Sequence, residues 1–270
     1  MITGKKMIDN GIIADVREIS SAVGSLQIYE VFRVMEGTCL FLEDHLQRLF
    51  NSARLAGEKI PVSEAQLFEM MKELVQANGI SEGNIKLVFE FAGRTERYSA
   101  FFIPHQYPTS DQYTQGVKLK ALKINRPNPN AKIWHAELKS QVEAIMTDAS
   151  VYEVALVDGD GFLTEGSRSN LFFVKDDMIV TAPHNKVLPG ITRRYVLQSC
   201  LRLKFDILEE CLHYRDLRNI QGAFVSGTSP KVLPISAIDQ QQISVSSSML
   251  SAIMKEYDEI VKEYLNKRNV

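Results

Sequence analysis

Four stretches of the 270-residue chain place reactive side chains beside features that could direct them. In FLEDHLQRLFNSARLAG, Arg48 lies within a helical run, where an arginine is ordinarily a solvated charge. In HAELKSQVEAI, Lys139 stands near the start of a second helical run, and one lysine carries no message alone. In DGDGFLTEGSRSNLFFV, the turn Asp158-Gly159-Asp160-Gly161 leads into Thr164-Glu165-Gly166. Glu165 thus falls between a turn and a strongly apolar strand, a setting in which a carboxylate needs a partner. In VLPGITRRYVL, Pro189-Gly190 precede Ile191-Thr192 at a helix start. The N–H groups of that first turn, with the helix dipole, make an anion site, the plainer alternative being a capped helix end.

The elements that must position these groups can be read from periodicity. Ile28, Val31 and Val34 mark strand-like sequence before a turn at Glu36-Gly37. Leu46, Leu49, Phe50 and Ala53 recur at helical spacing over Glu43 to Leu55, with Gly57 as a stop. A second amphipathic helix runs from Val62 to Asn78, ended by Gly79. NIKLVFEFA and RYSAFFIP read as two strands around Gly93-Arg94-Thr95-Glu96. Prolines and asparagines in RPNPNAK, after the polar HQYPTSDQYTQG, mark a domain connection. Beyond it come a helix near 136–149, strands near 152–158 and 170–181, a helix from 191 to about 203 and a strand near 222–226. An amphipathic tail helix over 247–266 follows. Strands and helices mix without regular βαβ alternation, so the expected class is α+β in two domains: residues 1–115, a connection over 116–131, and residues 132–270.

Composition excludes several functions. Net charge is -2, from 31 basic and 33 acidic residues, so no basic excess exists to counter a nucleic-acid backbone. No apolar run reaches the ~20 residues that span a bilayer. The opening MITGKKMIDNG lacks the apolar core of a signal peptide, and a cytoplasmic location is expected. Cys39, Cys200 and Cys211 are odd in number and lie in apolar segments, which reads as reduced thiols. No metal-ligand spacing appears among the five histidines.

Taken in order, Y-E-V-F-R-V and H-L-Q-R-L, a central lysine, T-E-G-S-R-S-N-L-F, L-P-G-I-T-R and S-G-T-S-P with L-P-I resemble the class IV (fold type IV) pyridoxal-5′-phosphate enzymes. That family includes branched-chain aminotransferases, D-amino-acid aminotransferases and aminodeoxychorismate lyases, and the match runs from about Ile28 to Ile238. The resemblance implies a smaller N-terminal α/β domain, a larger C-terminal domain, and the cofactor between them. It implies that Lys139 forms a Schiff base with the cofactor and moves the substrate Cα proton. Glu165 would face the pyridine nitrogen and keep it protonated. Arg48, the Ile191 and Thr192 amides and the Thr228 hydroxyl would bind the phosphate. Tyr29 would stand at the substrate mouth, the Ser229 N–H would meet the substrate carboxylate, and Asn170 would support the site.

The reaction implied is amino transfer from a small aliphatic or branched-chain amino acid to a 2-oxo acid, in a homodimer that binds small molecules only. Aminodeoxychorismate lysis and D-amino-acid transfer are alternatives on the same scaffold. A catalytically silent cofactor-binding protein is the reading from another class. Two departures bear on the substrate. Family members often carry asparagine-tyrosine or leucine-asparagine after the lysine, where this chain has Ser140-Gln141-Val142. Many carry arginine-glycine on the substrate-side strand, where this chain reads FEFAGRTERYSAF, with Arg94 and Arg97 in an apparent turn.

Overall fold

The computed structural model describes residues 2–18, 24–93 and 95–268, and the chain divides into two compact units. The first unit comprises Met1–Gln106, Ala131–Trp134 and Val261–Val270, and the second Tyr107–Asn130 and His135–Ile260. Among the described residues no helix is long and apolar enough to cross a membrane.

The first unit opens with β1 (Thr3–Asp9) and β2 (Ile12–Asp15), joined at Asn10-Gly11, where both φ angles are positive. Asn-Gly favours this tight hairpin turn, a signal that apolar periodicity does not carry. Then come β3 (Leu26–Met35), β4 (Thr38–Cys39), α1 (Leu42–Leu55), α2 (Glu64–Asn78), β5 (Gly83–Ala92) and β6 (Thr95–Ile103). The strands form an antiparallel sheet in the order β2-β1-β6-β5-β3-β4. Alternation puts Ile28, Phe32, Ile85, Leu87 and Phe102 on one face, packed with Leu46 and Leu49 of α1 and Leu67 and Leu74 of α2. Glu43 and Asp44 complement the dipole at the start of α1. Ser63 and Gln66 form a capping box on α2, and Gly79 closes it in the left-handed conformation. Arg97 belongs to β6, paired with Glu90 of β5, and not to a turn. Arg94 lies outside the described residues.

The second unit contains α3 (Ser110–Gln115), β7 (Val117–Lys123), α4 (Ala136–Ala149), β8 (Glu153–Val157), β9 (Leu163–Gly166), β10 (Asn170–Lys175) and β11 (Met178–Thr181). It continues with α5 (Ile191–Arg202), β12 (Ile207–Glu209), β13 (Gly222–Gly227), β14 (Lys231–Ile238) and β15 (Gln241–Gln242). The last helix, α6 (Ser248–Arg268), buries Leu250, Ile253, Tyr257 and Ile260 before its final turns, which belong to the first unit. The strand order is β12-β11-β10-β13-β14-β7-β8-β9, and β9 also pairs with β10 through Glu165 and Asn170. The path therefore closes on itself as a barrel, filled by Leu119, Ala155, Leu171, Phe173, Val225 and Leu233 among others. Outside it, Val142 of α4 packs with Val154 and Leu156.

Two further sequence expectations change, and one strand goes unread. The connection placed over 116–131 holds β7, a strand paired with both β8 and β14, because Val117 and Leu119 alternate inward despite the lysines between them. The apolar stretch near 170–181 is a hairpin, β10 and β11, turning at Asp176-Asp177 with positive φ at both. β14 is hidden in the sequence because Pro234 argues against an interior strand. It is accommodated where the β14–β7 register slips, beside Gly116, whose Cβ would lie 2.9 Å from the Ser236 nitrogen. Cys39 and Cys200 are buried and Cys211 is half-buried, all three as free thiols, with burial pushing Cys39 and Cys200 up to about 12.

Asn78, at the end of α2, ties that helix to β1. Its Oδ1 accepts from the Lys5 and Lys6 amides at 2.8 and 2.9 Å, and its Nδ2 donates to the Lys6 and Leu74 carbonyls at 3.1 and 2.9 Å. Asn78→Ala leaves these groups without their partner and is expected to destabilise the protein by about 1–3 kcal/mol in urea unfolding. An unchanged midpoint would show that water replaces all four bonds.

Candidate functional site

In the second unit the barrel closure sets the chemistry. Glu165, 2% exposed, sits on β9 with its Oε1 3.1 Å from Arg126 Nε and its Oε2 accepting from the Leu188 amide at 3.0 Å. The Arg126 contact is an ion pair without hydrogen-bond alignment, whereas Arg126 Nη2 donates squarely to the Ser167 carbonyl at 2.6 Å. Arg126 draws no notice in the sequence because it precedes a proline in a segment that reads as a linker.

The loop from Glu165 to Asn170 wraps a second buried carboxylate. Glu153 of β8 accepts from the Arg168 amide at 2.5 Å, the Ser167 hydroxyl at 3.2 Å and the Ser169 hydroxyl at 2.8 Å. A side chain on Gly166 would stand 2.2 Å from Ser169 Oγ and 3.0 Å from Glu153 Oε1. The run T-E-G-S-R-S-N is therefore a tight turn folded onto Glu153. The signal for Glu153 was visible, a lone acid inside the apolar strand VYEVALV.

Asn170 has a definite task. Its Nδ2 donates to the Leu188 carbonyl at 2.9 Å, so the Leu188 residue is held by Glu165 at its amide and Asn170 at its carbonyl. This clamp precedes α5. Its N-cap, Gly190, offers no side-chain bond to the first turn, and a Cβ on Gly190 would fall 2.0 Å from Asn170 Oδ1. The Ile191 and Thr192 amides thus open a helix end that no cap closes, and both residues are buried. Ser226 of β13 pairs with Asn170, and Thr228 and Ser229, half-buried, begin the turn after that strand. Glu165, Asn170, the start of α5 and the Thr228 turn accordingly gather at one end of the barrel. A glycine-lined, uncapped helix start beside a buried carboxylate suits a phosphorylated heteroaromatic group.

In the first unit Arg48 of α1 is buried and forks onto Glu30, donating from Nε at 2.8 Å and Nη2 at 2.6 Å. His45 Nδ1 stands 2.8 Å from the same carboxylate. Burial by itself pushes Glu30 up, but the Arg48 charge and the hydrogen bonds from Arg48 and His45 outweigh it and hold Glu30 at about 2. His45 is lowered, chiefly by burial, with the charges of Arg48 and Lys132 adding to it, so its neutral ring donates Nδ1–H to Glu30.

Lys132 has no motif around it that singles it out in the sequence. Residues 131–134 lie along the edge of β3. Ile133 bridges Ile28, the Tyr29 amide donates to the Lys132 carbonyl at 3.2 Å, and Trp134 donates to the Gln27 carbonyl at 3.0 Å. The Lys132 amide donates to Ser52 of α1 at 3.0 Å. Its ammonium sits 5.0 Å from the centre of the Tyr29 ring, which meets Trp134 edge-on at 5.6 Å. Lys139 lies elsewhere, in the second unit, on the exposed side of α4. Its side chain is 48% exposed and pairs with Glu143 one turn on at 3.4 Å.

The sequence model of the family described as amino-transferase class IV matches residues 27–238. The chain is 28% identical over 254 residues to a D-alanine aminotransferase of Bacillus licheniformis, covering 90% of this chain and 89% of that one. It is 26% identical to a putative branched-chain-amino-acid aminotransferase of Methanocaldococcus jannaschii, covering 89% and 87%. The fold superposes with a TM-score of 0.86 on the branched-chain aminotransferase of the archaeon Thermoproteus uzoniensis solved with norvaline, at 23% identity over 98% of this chain and 98% of that one.

His45 and Glu30 both have folded pKa values below their unfolded values of 6.5 and 4.5, so the unfolded chain binds more protons. The stability they contribute is present above those values and is lost as pH falls, first through His45 below 6.5 and then through Glu30 between 4.5 and about 2. Urea midpoints measured down the pH scale should fall in these two steps, and His45→Gln should shrink the upper step, which His135, also lowered by burial, shares, and leave the lower one. A variant with the wild-type profile would show that His45 is not buried in its neutral form.

Proposed function

The chain belongs to the class IV aminotransferase family, a pyridoxal-phosphate transferase family, and on that premise we propose that it moves an amino group from a small aliphatic or branched-chain amino acid to a 2-oxo acid, with Lys132 in place of Lys139 as the cofactor lysine. The observation that carries the lysine assignment is the contrast in setting. Lys132 is half-buried against Tyr29 and its charge is felt at the buried His45, while Lys139 lies on the exposed side of α4.

When bound, the cofactor supplies an electron sink for the bond broken at the substrate Cα. Lys132 Nζ would hold the cofactor covalently and, with substrate bound, would be the base that moves the proton of the substrate Cα. Glu165, held by Arg126 and the Leu188 amide, keeps a proton on the ring nitrogen. The Ile191 and Thr192 amides and the Thr228 hydroxyl bind phosphate, and Arg48 carries the phosphate role that the family resemblance gives it. Tyr29 flanks the lysine, and the Ser229 amide is offered to the substrate carboxylate. The substrate class rests on the relatives named for D-alanine and for branched-chain amino acids. A cytoplasmic homodimer is the assembly and location consistent with the resemblance.

Lys132→Ala should abolish the visible band of the cofactor-loaded protein, and Lys139→Ala should keep it. Borohydride reduction followed by peptide mapping should place the cofactor on the peptide holding Lys132. Label at Lys139, or a band that survives Lys132→Ala, would return the assignment to the helix. Bleaching of the band with a panel of L- and D-amino acids then names the substrate class.

Gly190→Ala forces a methyl group against Asn170 Oδ1 and should weaken cofactor affinity by roughly 10-fold or more, read by fluorescence titration of the apoprotein, since about 1.4 kcal/mol is tenfold. Unchanged affinity would remove the start of α5 from the phosphate site.

A further inference from the structure

One buried side chain of the second unit has no task in the arrangement above. Ser226 of β13 is 1% exposed, and its hydroxyl has no hydrogen-bond partner among the described residues. Three other buried hydroxyls of that unit are in use. Thr181 donates to the Leu171 carbonyl at 2.8 Å, Ser169 to Glu153 at 2.8 Å and Ser199 to the Tyr195 carbonyl at 2.9 Å. A buried hydroxyl without a partner is costly, and alanine would fill the same strand position without that cost. Register places the group. Leu171, Phe173, Ala223 and Val225 fill the barrel, so alternation puts Asn170, Phe172, Phe224 and Ser226 on its outer face. Phe172 and Phe224 stack there at 4.9 Å, and Ser226 stands opposite Asn170. On that face Asn170 reaches the Leu188 carbonyl and crowds Gly190, so α5, which packs on β13, begins beside this pair.

From this juxtaposition we infer that the Ser226 hydroxyl is a further donor to the cofactor phosphate, joining the Ile191 and Thr192 amides and the Thr228 hydroxyl. The inference rests on the start of α5 being the phosphate site. The chemistry matches on both sides. A phosphate ester near neutral pH carries about -1.5 to -2 charge and offers oxygens that accept. A serine hydroxyl turns its one proton toward an acceptor without moving its backbone. That backbone is fixed, because Ser226 is paired with Asn170 on one side and Val232 on the other. A donor held in place before the anion arrives costs little to reorganise. The apoprotein bears the penalty of the orphaned hydroxyl, and the bond forms only with phosphate present. Ser226 therefore acts in opposite directions on the stability of the empty and the loaded protein.

The test compares the affinity of the apoprotein for pyridoxal 5′-phosphate and for pyridoxal, which lacks the phosphate, in fluorescence titrations of wild type and Ser226→Ala. Ser226→Ala should weaken pyridoxal 5′-phosphate by roughly 10-fold, the size of one hydrogen bond to a charged group, and leave pyridoxal unchanged. The melting temperature of the Ser226→Ala apoprotein should equal or exceed the wild-type value, because the deleted hydroxyl had no partner, while the gain on adding cofactor should shrink. In a crystal structure of the wild-type holoprotein, an arm that needs no variant, Ser226 Oγ should stand about 3 Å from a phosphate oxygen. Unchanged affinity for pyridoxal 5′-phosphate, an equal loss for both ligands, or an apoprotein that melts earlier overturns the inference. So does a holoprotein in which Ser226 Oγ meets only water. Gly190→Ala separates this failure from failure of the site. If Gly190→Ala weakens the cofactor and Ser226→Ala does not, the phosphate site stands and Ser226 has no part in it. If neither does, the phosphate does not sit at the start of α5, and the inference falls with that reading.

Discussion

A carboxylate that is 2% exposed must be neutralised or hydrogen-bonded where it sits, and the second unit is arranged around meeting that demand for Glu165. Arg126 meets it from the segment after β7, and the Leu188 amide meets it from the turn before α5. The same Leu188 residue is gripped at its carbonyl by Asn170, which pairs with Glu165 across the barrel closure. One buried charge therefore fixes the register of β9 on β10, the path of the 188–190 turn and the origin of α5. Glycine at 190 follows, because Asn170 occupies the space a side chain would need. The carboxylate and the anion-binding helix end thus share their supports.

The first unit solves the same problem differently. Glu30 is fully buried, and it is compensated by a two-pronged arginine and a neutral histidine from one helix, three residues apart. Spacing of three on α1 puts His45 and Arg48 on one side, over β3. The group is rigid at the Nε–Nη2 edge of Arg48, so the guanidinium is oriented before any ligand arrives. Preorganised donors of this kind cost little to reorganise on binding an anion.

The lysine turns on a different constraint. An amine that must be neutral at some stage of its chemistry needs partial burial, a nearby cation, or both. Lys132 is half-buried within the first unit, its backbone held by Ser52 and the β3 edge and its ammonium over the Tyr29 ring. The helix of Lys139 turns Leu138, Val142, Ile145 and Met146 toward β8 and leaves the lysine on its exposed side, paired with Glu143.

Much of this is legible in the residues themselves. Helices α1, α2, α4, α5 and α6 follow from apolar spacing, and Glu165, Asn170 and the Gly190-Ile191-Thr192 turn from short motifs whose local geometry needs those residue types. Local sequence determines such features because capping, turn and amphipathic preferences act over a few residues. Three things lie beyond that reach. β7 and β14 pair in parallel across more than a hundred residues, β7 in a stretch that reads as a linker and β14 with Pro234 inside it. Arg126 acquires a role only when it meets Glu165, 39 positions away. Between Lys132 and Lys139, seven residues apart in the same polar stretch, nothing in composition or period decides. Their different settings come from the edge of β3, which draws residues 131–134 into the first unit's sheet, and from the face of α4 that packs on β8. Burial and charge environment are properties of segments distant in sequence, so the chain by itself specified the kinds of groups available, and tertiary packing decided how far each lysine is buried and what lies beside it.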